Sequence, residues 1–344
     1  MRRPWSFVAM SRNTDMEKIQ KMFPGSGQSF LARLCCLAGA LMLSACGPEP
    51  EPVLRIGSNT WPGYEPLYLA RSLGEYEGSR IRLVELTSAS EVLHKLRSGT
   101  LEGAALTLDE SLILLDDGFD LKVILIMDFS NGGDVLLAKP GIASLEDLRG
   151  KRIAVETTAA GGIVLDSALR KGGLKPEDVE IVPCPIEDHV DCYPGVDAVV
   201  TFEPVRTKLK KQGAVALFDS SEIPERIVDV LVVKAEVVET HPRSLHRLLE
   251  GYFKAREHLA SKPDAAAELM AVRLGLSPGE LLAAYEGVRL PELEENRKLL
   301  TGGQPPLERT AEDLRVFMLE RNLLQSLSSI GKLADGRFLP SDEP

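Results

Sequence analysis

The stretch that decides the fold is "RIGSNTWPGYEPLYLAR", residues 55–71. Its first residues continue an apolar strand pattern, Pro62-Gly63 indicates a turn, and an apolar helix pattern follows directly. The tryptophan on this loop is informative, because an indole needs a flat partner and an acceptor for its N–H. We interpret Trp61 as a ring that stacks on a ligand. The alternative is that it closes the edge of its own lobe.

The order of strand, polar loop and helix is repeated along the chain. The segment "KRIAVETTAAGGIVLDSALRKGG", residues 151–173, repeats the opening pattern, and "VDAVVTFEP", residues 196–204, repeats "LEGAALTLDE", residues 101–110. Strands separated by helical segments predict parallel sheets with helices on their faces. Two such units favour a pair of α/β lobes. From about Thr240 amphipathic helices follow, which we expect to cover the first lobe, and Thr310 is predicted to cap the last of them.

Polar residues collect where the predicted strands end, which is where open parallel sheets bind ligands beside helix N-termini. The candidate ligand-binding residues are Asn59, Trp61, Tyr64, Ser88, Thr107, Asp109, Asn131, Thr157, Thr158 and Glu203. Each has a simpler interpretation, since hydroxyls cap helices and the carboxylates of Asp109 and Glu203 favour helix N-termini. Glu203 can also pair with Arg206. Together, the two sets of loops predict a cleft between the lobes.

The first 45 residues have the pattern of an export signal. Arg33 precedes an apolar run that leads into "LSAC" and Gly47, and the run is too short to cross a bilayer. "LSAC" resembles the lipobox of bacterial lipoproteins, which implies that Cys46 becomes the first mature residue and carries lipid. We therefore predict a signal peptide over residues 1–45 and an extended tether over residues 46–52. Translation can also begin at Met16 or Met22.

Composition restricts the classes of partner and chemistry. The formal net charge is −11 at pH 7, so we expect no nucleic-acid partner, because phosphate contacts need clustered Lys and Arg. The sequence has none of the common hydrolase, metalloprotease or nucleotide-binding motifs, and we expect neither catalysis nor a cofactor. Cys184 and Cys192 in "CPIEDHVDC" can be free buried thiols or a disulfide. A metal site that includes His189 is disfavoured, because the spacing matches no zinc pattern.

Several segments together resemble one family. "IGSNTWPGYEPLYLAR", "GAALTLDE", "SLEDLRGKRIAVE", "VDAVVTFEPV" and "DGRFLP" are similar, in this order, to the nitrate/sulfonate/taurine and pyrimidine-precursor family of ABC-importer solute-binding proteins. The resemblance covers nearly all of residues 53–340. It implies a two-lobe periplasmic binding protein fold of type II, in which each lobe is a mainly parallel sheet flanked by helices. The implied boundaries are 53–135 plus 234–344 for lobe 1, 139–228 for lobe 2, and hinge crossings near 135–139 and 228–233.

The resemblance also implies a function without chemistry. A small molecule binds in the cleft, the lobes close on it, and a membrane permease driven by a cytoplasmic ATPase recognises the closed form. The implied protein is a monomer on the periplasmic side of the bacterial cell envelope, anchored through Cys46. Matching the family position by position assigns the ligand contacts to the strand-end residues named above.

The candidate loops contain carboxylates, and burying them opposite an anion is costly. This favours a ligand with a donor or a positive charge, such as an amine, a zwitterion or an amino-heterocycle stacked on Trp61. Two other functions stay open. One is a sensory protein that presents its closed form to a membrane receptor. The other is an enzyme on the same fold, although the cysteine-rich motif of the pyrimidine-precursor synthases is absent here.

Overall fold

The computed structural model describes residues 50–156, 159–326 and 329–341. These residues form an α/β fold with two lobes, one built on a six-stranded sheet (sheet A, lobe 1) and one on a five-stranded sheet (sheet B, lobe 2). Helices flank both sheets. The two-lobe α/β architecture predicted from the sequence is confirmed. The predicted signal peptide over residues 1–45, Cys46, Thr157 and Thr158 lie outside the described residues.

Strands β1 to β11 alternate with helices through most of the chain. They are β1 Leu54–Ser58, β2 Ile81–Glu85, β3 Gly103–Thr107, β4 Leu121–Ser130, β5 Val135–Ala138, β6 Arg152–Val155, β7 Glu180–Pro183, β8 Ala198–Thr201, β9 Val215–Asp219, β10 Val228–Lys234 and β11 Val288–Arg289. Sheet A has the order β11-β4-β10-β3-β1-β2, and sheet B has the order β7-β6-β8-β5-β9.

Each sheet has one strand that enters from the other lobe and runs antiparallel to both of its neighbours. β1 pairs in parallel with β2 and β3, whereas β10 is antiparallel to β3 and β4. In sheet B, β6 pairs in parallel with β7 and β8, whereas β5 is antiparallel to β8 and β9. Both of these strands enter from the other lobe. A helical crossover joins parallel strands, and because these two strands are not reached through one, they can run antiparallel to their neighbours.

Two connections join the sheets. Residues 131–134 connect β4 in sheet A to β5 in sheet B, and residues 220–227 connect β9 to β10. The segments that the sequence suggested as hinge crossings, 135–139 and 228–233, consist largely of the strands that follow these connections. Each of those strands pairs on both sides within its own sheet.

The helices form the outer layers of the lobes. They are α1 Glu65–Ser72, α2 Ala89–Arg97, α3 Leu108–Asp116, α4 Ala159–Lys171, α5 His189–Cys192, α6 Val205–Lys211, α7 Val237–Thr240, α8 Pro242–Ser261, α9 Pro263–Leu274, α10 Pro278–Ala284, α11 Leu293–Leu300 and α12 Pro306–Leu319.

The long helix α8 carries the apolar stripe seen in the sequence. Leu245, Leu248, Leu249 and Tyr252 are fully buried in the core that also contains the strands of sheet A. The Tyr252 hydroxyl donates to the main-chain oxygen of Met127 on β4 at 3.2 Å. The chain therefore returns to lobe 1 after lobe 2, as the pattern predicted.

One predicted helix start is wrong. Thr310 lies inside α12, where its hydroxyl donates to the main-chain oxygen of Pro306 at 3.4 Å. The helix begins at Pro306 because proline fits the first turn, where its missing N–H is not needed. The Thr-x-x-acid pattern alone could not separate a cap from a helix interior.

The structure decides the pairing of the cysteines, which the sequence left open. Cys184 and Cys192 form a disulfide that encloses α5, so the alternative of two free thiols does not apply. Within the described ranges, no three His, Cys, Asp or Glu side chains are grouped so that they could hold a metal ion. In the same part of the chain, no helix is both long and apolar enough to cross a membrane.

Candidate functional site

A cavity lies between the two lobes, at the carboxyl ends of strands from both sheets. It contains about 560 Å³ of space free of protein atoms, part of it continuous with solvent. The polar and aromatic wall residues from lobe 1 are Asn59, Trp61, Tyr64, Thr107, Glu110 and Asp229. Those from lobe 2 are Glu156, His189, Thr201 and Phe202. Asp134, on the first connection between the lobes, completes the wall.

Trp61 lies at the boundary of the two lobes. Its indole N–H donates to both carboxylate oxygens of Asp128 on β4, each at 3.2 Å. Its ring meets that of Phe202, which follows β8 in the other sheet, edge to face with the centroids 5.6 Å apart. Only 4% of the residue is exposed. The indole thus binds an acceptor in its own lobe and packs against an aromatic ring of the other.

Two glycines make room for this indole. A Cβ atom at Gly63 would lie 1.8 Å from Oδ2 of Asp128, and one at Gly133 would lie 2.5 Å from Cη2 of Trp61. Both distances are far below van der Waals contact. Any side chain at either position would therefore push the ring or its carboxylate partner away.

Asp128 and Asp229 face each other on the neighbouring strands β4 and β10. The Tyr64 hydroxyl donates to Oδ1 of Asp229. Burial raises the pKa of Asp128 to about 7, and burial together with the charge of Asp128 raises the pKa of Asp229 well above its usual range. We assign the proton of the pair to Asp229, because its pKa is raised further than that of Asp128. The pair then carries one negative charge once the pH is above the pKa of Asp128.

The N-terminus of α3 brings two more carboxyl groups to this region. Thr107 and Glu110 form a capping box, in which the main-chain N–H of Thr107 donates to Oε2 of Glu110 at 3.0 Å. Burial raises the pKa of Glu110 to about 8 and that of Asp109 to about 7. Asp109 is fully buried, and neither of its carboxylate oxygens has a hydrogen-bond partner. The first turn of this helix therefore contains an unusually large amount of desolvated acid.

Asp134 lies where the chain passes from lobe 1 to lobe 2. The residue is 7% exposed, and burial raises the pKa of its carboxyl group to about 6. The hydroxyl of Ser130 and the charge of Arg206 act in the opposite direction. Arg206 itself donates to the main-chain oxygen of Gly132 at 3.0 Å, so its guanidinium is held beside the connection.

A hydrogen bond at the cavity wall joins the lobes directly. The hydroxyl of Ser90, on α2 of lobe 1, donates to Oε1 of Glu156 at the end of β6 at 2.9 Å. Nearby, Thr87 donates to Oε1 of Glu187 at 3.1 Å. Farther from the cavity, Arg321 forms an ion pair with Asp166 of α4 at 2.8 Å. The described conformation is therefore one in which the lobes are in contact around the cavity.

His189 forms part of the lobe 2 wall and is electrically neutral. Nε2 lies 3.0 Å from the main-chain oxygen of Cys184, and Nδ1 lies 3.1 Å from Oγ1 of Thr201. A carbonyl can only accept, so Nε2 carries the proton and Nδ1 accepts from the threonine hydroxyl. Burial lowers the pKa of this imidazole. The Cys184–Cys192 disulfide closes the loop that holds the ring.

The structure brings four of the predicted ligand-binding residues to the cavity wall. They are Asn59, Trp61, Tyr64 and Thr107. Asn59, Trp61 and Tyr64 follow β1, and Thr107 is the last residue of β3, so the strand pattern located both strand ends to within one residue.

Four other predicted residues lie away from the wall. Ser88 caps α2, and its hydroxyl accepts from the N–H of Glu91. Asp109 points into the protein, and Asn131 is exposed on the first connection. The Glu203 carboxylate folds back onto its own helix, where it accepts from the N–H and the hydroxyl of Thr207. The simpler interpretations of Ser88 and Glu203, capping and local pairing, describe their positions.

Sequence reasoning missed two residues that support the site. Asp128 and Asp229 interrupt the apolar runs "VILIMDFS" and "VDVLVV", which otherwise indicate fully buried strands. A carboxylate inside a buried strand must have a specific partner or lose its charge. That interruption was the available signal. It is a weaker signal than the clusters of polar residues that follow the strands.

Comparison with known proteins gives one family match and several related folds. A family model described as the NMT1-like family matches residues 47–274. The taurine-binding periplasmic protein of Escherichia coli (strain K12) is 23% identical over 279 residues, which is 77% of this chain and 86% of that protein.

Two solved structures illustrate the range of the fold. The periplasmic aliphatic sulphonate binding protein SsuA from Escherichia coli has a TM-score of 0.68 at 19% identity, covering 83% of this chain and 98% of that chain. The desulfurization enzyme DSZB has a TM-score of 0.62 at 20% identity, covering 84% of this chain and 97% of that chain. Both binding proteins and an enzyme therefore share this architecture.

Proposed function

Because the chain belongs to the NMT1-like family, we propose that it is an extracytoplasmic solute-binding protein that captures a small polar molecule between its lobes and delivers it to an ABC permease. The observation that carries this proposal is the cavity whose wall comes from both lobes. A ligand there contacts both lobes at once and stabilises the closed form by its differential affinity. The taurine-binding relative is consistent with this role.

We assign the moving parts from the two connections. Residues 131–134 and 220–227 would be the hinge, lobe 1 would be built on sheet A with the C-terminal helices, and lobe 2 on sheet B. These boundaries differ by a few residues from those implied by the sequence resemblance. Opening would break the Ser90–Glu156 hydrogen bond and the Trp61–Phe202 contact. Opening would also separate the Thr87–Glu187 hydrogen bond and the Arg321–Asp166 ion pair, which are polar contacts that water can replace.

Binding in this cavity requires no covalent step. A micromolar dissociation constant corresponds to about −8 kcal/mol, which an aromatic contact and several hydrogen bonds to a buried ligand can supply. The enzymatic alternative makes a different prediction, namely turnover of the bound molecule. Mass spectrometry of the ligand after prolonged incubation distinguishes the two, since a binding protein returns it unchanged.

We further propose that the protein is a monomeric lipoprotein on the periplasmic side of the cell envelope, attached through Cys46. The "LSAC" sequence before Gly47 supports this. Fractionation of cells that express the wild type and Cys46→Ser tests it. The wild type should sediment with membranes and the variant should not, and sedimentation of both forms with the membranes would contradict the anchor.

The test of solute binding is native mass spectrometry of the freshly purified protein. We expect a small-molecule adduct that disappears on unfolding and returns when the same molecule is added to refolded protein. Uptake of that molecule by cells should require a permease and an ATPase. If cells import it normally without this protein but fail to respond to it, the sensory alternative replaces the transport proposal.

A further inference from the structure

We propose that the ligand carries a protonated amine, and that this cation lies between carboxyl groups contributed by both lobes. The inference rests on the solute-binding function proposed above and specifies the chemical class of the solute. It differs from the anionic sulphonate named for one structural relative.

The charge of the cavity wall is the first argument. Carboxyl groups reach the wall from lobe 1, from lobe 2 and from the first connection. They are Glu110, Asp134, Glu156 and Asp229. Among the described wall residues there is no Lys or Arg, and His189 is neutral at pH 7 because burial lowers its pKa. An anion in this cavity would face carboxyl groups and no basic side chain of the described wall, whereas an ammonium would lower the raised pKa values of these groups and pair with their ionised form.

Asn59 provides an independent observation. Its side chain lies on the wall and is 6% exposed, and the amide has no hydrogen-bond partner among the described residues. Only its main-chain oxygen is engaged, by the guanidinium of Arg273 at 3.2 Å. Because the residue lines the cavity, this amide is open to a ligand there. The amide oxygen can accept a hydrogen bond from the ligand, and an ammonium has three N–H donors.

The aromatic residues of the wall suit the same ligand. Trp61, Tyr64 and Phe202 border the cavity, and aromatic faces attract cations through their quadrupole. They also accept a flat apolar group by stacking. The ligand we infer therefore combines an amine with an apolar or aromatic remainder.

A metal ion fits the cavity less well. Divalent cations are held by several carboxylate or imidazole groups that converge on one point. In the described part of the chain, no three such side chains converge in this way. The carboxyl groups instead come from separate parts of the wall, in lobe 1, in lobe 2 and on the first connection.

The distribution of the carboxyl groups links the cation to closure. Glu110 of lobe 1 and Glu156 of lobe 2 both line the cavity, and burial, with a smaller contribution from the charge of Glu156, raises the pKa of Glu110. Without a cation, the buried carboxyl groups must keep their protons when the lobes close, because desolvation disfavours their charged form. With an ammonium between them, closing becomes favourable. The ligand charge would thus select the closed form that a permease recognises.

The experiment compares ligands that differ only in charge. Thermal unfolding of the refolded, ligand-free protein is measured with benzylamine, benzyl alcohol and phenylmethanesulfonate, and with ethylamine, taurine and ethanesulfonate. We expect the amine of at least one series to raise the melting temperature and the corresponding sulfonate to leave it unchanged. Two results would overturn the inference. One is that a sulfonate lacking an amino group stabilises the protein, and the other is that no compound with an amino group, taurine included, stabilises it.

Variants identify the site of the amine. Glu110→Gln should weaken binding of the stabilising amine by about tenfold or more, the loss expected for a charge-assisted contact. Glu177→Gln, at an exposed carboxylate in lobe 2, should have no effect. Asp134→Asn serves as a second site variant, in case the first disturbs the capping box of α3. Unchanged affinity in both folded site variants would contradict the inference.

The two proposals fail in different ways. If a sulfonate or another anion binds and causes closure, the solute-binding function stands and the inference about the amine is wrong. If native mass spectrometry detects no adduct and no compound of either series stabilises the protein, the solute-binding function itself is contradicted.

Discussion

The indole N–H of Trp61 donates to both oxygens of the Asp128 carboxylate at 3.2 Å, while the same ring meets Phe202 of the opposite lobe. Asp128 is fully buried, so its charge depends on this donor. Trp61 therefore has two structural roles, one within its own lobe and one at the cavity, which the sequence analysis treated as alternatives. It satisfies a buried group of its own lobe, and it also forms the boundary of the cavity.

The first prediction concerns Trp61→Phe, which keeps an aromatic ring and removes the N–H. We expect a loss of about 1–3 kcal/mol in the free energy of unfolding, because a buried carboxylate loses a partner. Ligand affinity should also fall, since Asp128 and its neighbour Asp229 will rearrange. Urea unfolding and calorimetric titration measure the two effects.

Tyr76→Phe is the control for this variant. Tyr76 is buried in lobe 1, and its hydroxyl donates to the main-chain oxygen of Leu248 at 3.2 Å, away from the cavity wall. This variant should lose stability with no change in affinity. Equal affinities for the wild type and Trp61→Phe would show that the indole N–H is irrelevant to binding.

The second prediction concerns the contact between the lobes at Ser90. Ser90→Ala removes the hydrogen bond to Glu156, worth about 0.5–1.5 kcal/mol, and so should raise the ligand dissociation rate by roughly threefold to tenfold. Ser98→Ala is matched in chemistry and lies just beyond the same helix, where its hydroxyl bonds only to nearby residues of lobe 1. Stopped-flow dissociation should separate the two variants, and identical rates would exclude a role of this contact in closure.

The third prediction is that the ligand-free protein loses stability as pH rises. Burial raises the pKa of Glu110 to about 8, of Asp128 to about 7 and of Asp134 to about 6. The folded protein thus keeps protons that the unfolded chain releases near pH 4, and the stabilisation is lost as pH rises through 6 to 8. His189 opposes this trend weakly below pH 6.5, because burial lowers its pKa.

Urea midpoints at pH 5.5 and pH 8 measure this slope. Asp109→Asn should reduce it, because the buried Asp109 has a pKa raised to about 7 and no hydrogen-bond partner to lose. The stabilising amine should also reduce the change in urea midpoint between these pH values, because a bound cation stabilises the ionised carboxylates. A midpoint that rises between these pH values would contradict the assigned pKa shifts.

The fourth prediction concerns the Cys184–Cys192 disulfide. Replacing both cysteines by serine opens a short loop, and the entropy model gives a loss of about 2–3 kcal/mol in the free energy of unfolding. Binding should weaken as well, because His189 and Thr201 at the cavity are held by this loop. The same effects should follow reduction of the wild type, and the serine variant should not respond to reductant.

Sequence reasoning located the loops of the site better than its side chains. Alternating patterns give the end of β1 and β3 within one residue, so Asn59, Trp61, Tyr64 and Thr107 could be placed at the cavity. Whether a polar side chain after a strand points to a ligand or back to its own helix depends on a single rotamer. The side chains of Ser88 and Glu203 bond to their own helices, and no sequence pattern distinguishes this from ligand binding.

The buried acids needed three-dimensional information for a different reason. Asp128 and Asp229 are about a hundred residues apart and become neighbours only because β10 returns from lobe 2 to pair with β4. Cysteine pairing was likewise open, since an eight-residue separation permits a disulfide without requiring one. Long-range pairing, rather than local propensity, determined these features.

The most direct test of the account is a crystal structure of the protein with the molecule that copurifies with it. We expect electron density for that molecule between Trp61 and Phe202, with an amine nitrogen within hydrogen-bond distance of the Asn59 amide oxygen and of Glu110 or Glu156. Density at another surface, with both lobes in contact around a water-filled cavity, would contradict capture between the lobes.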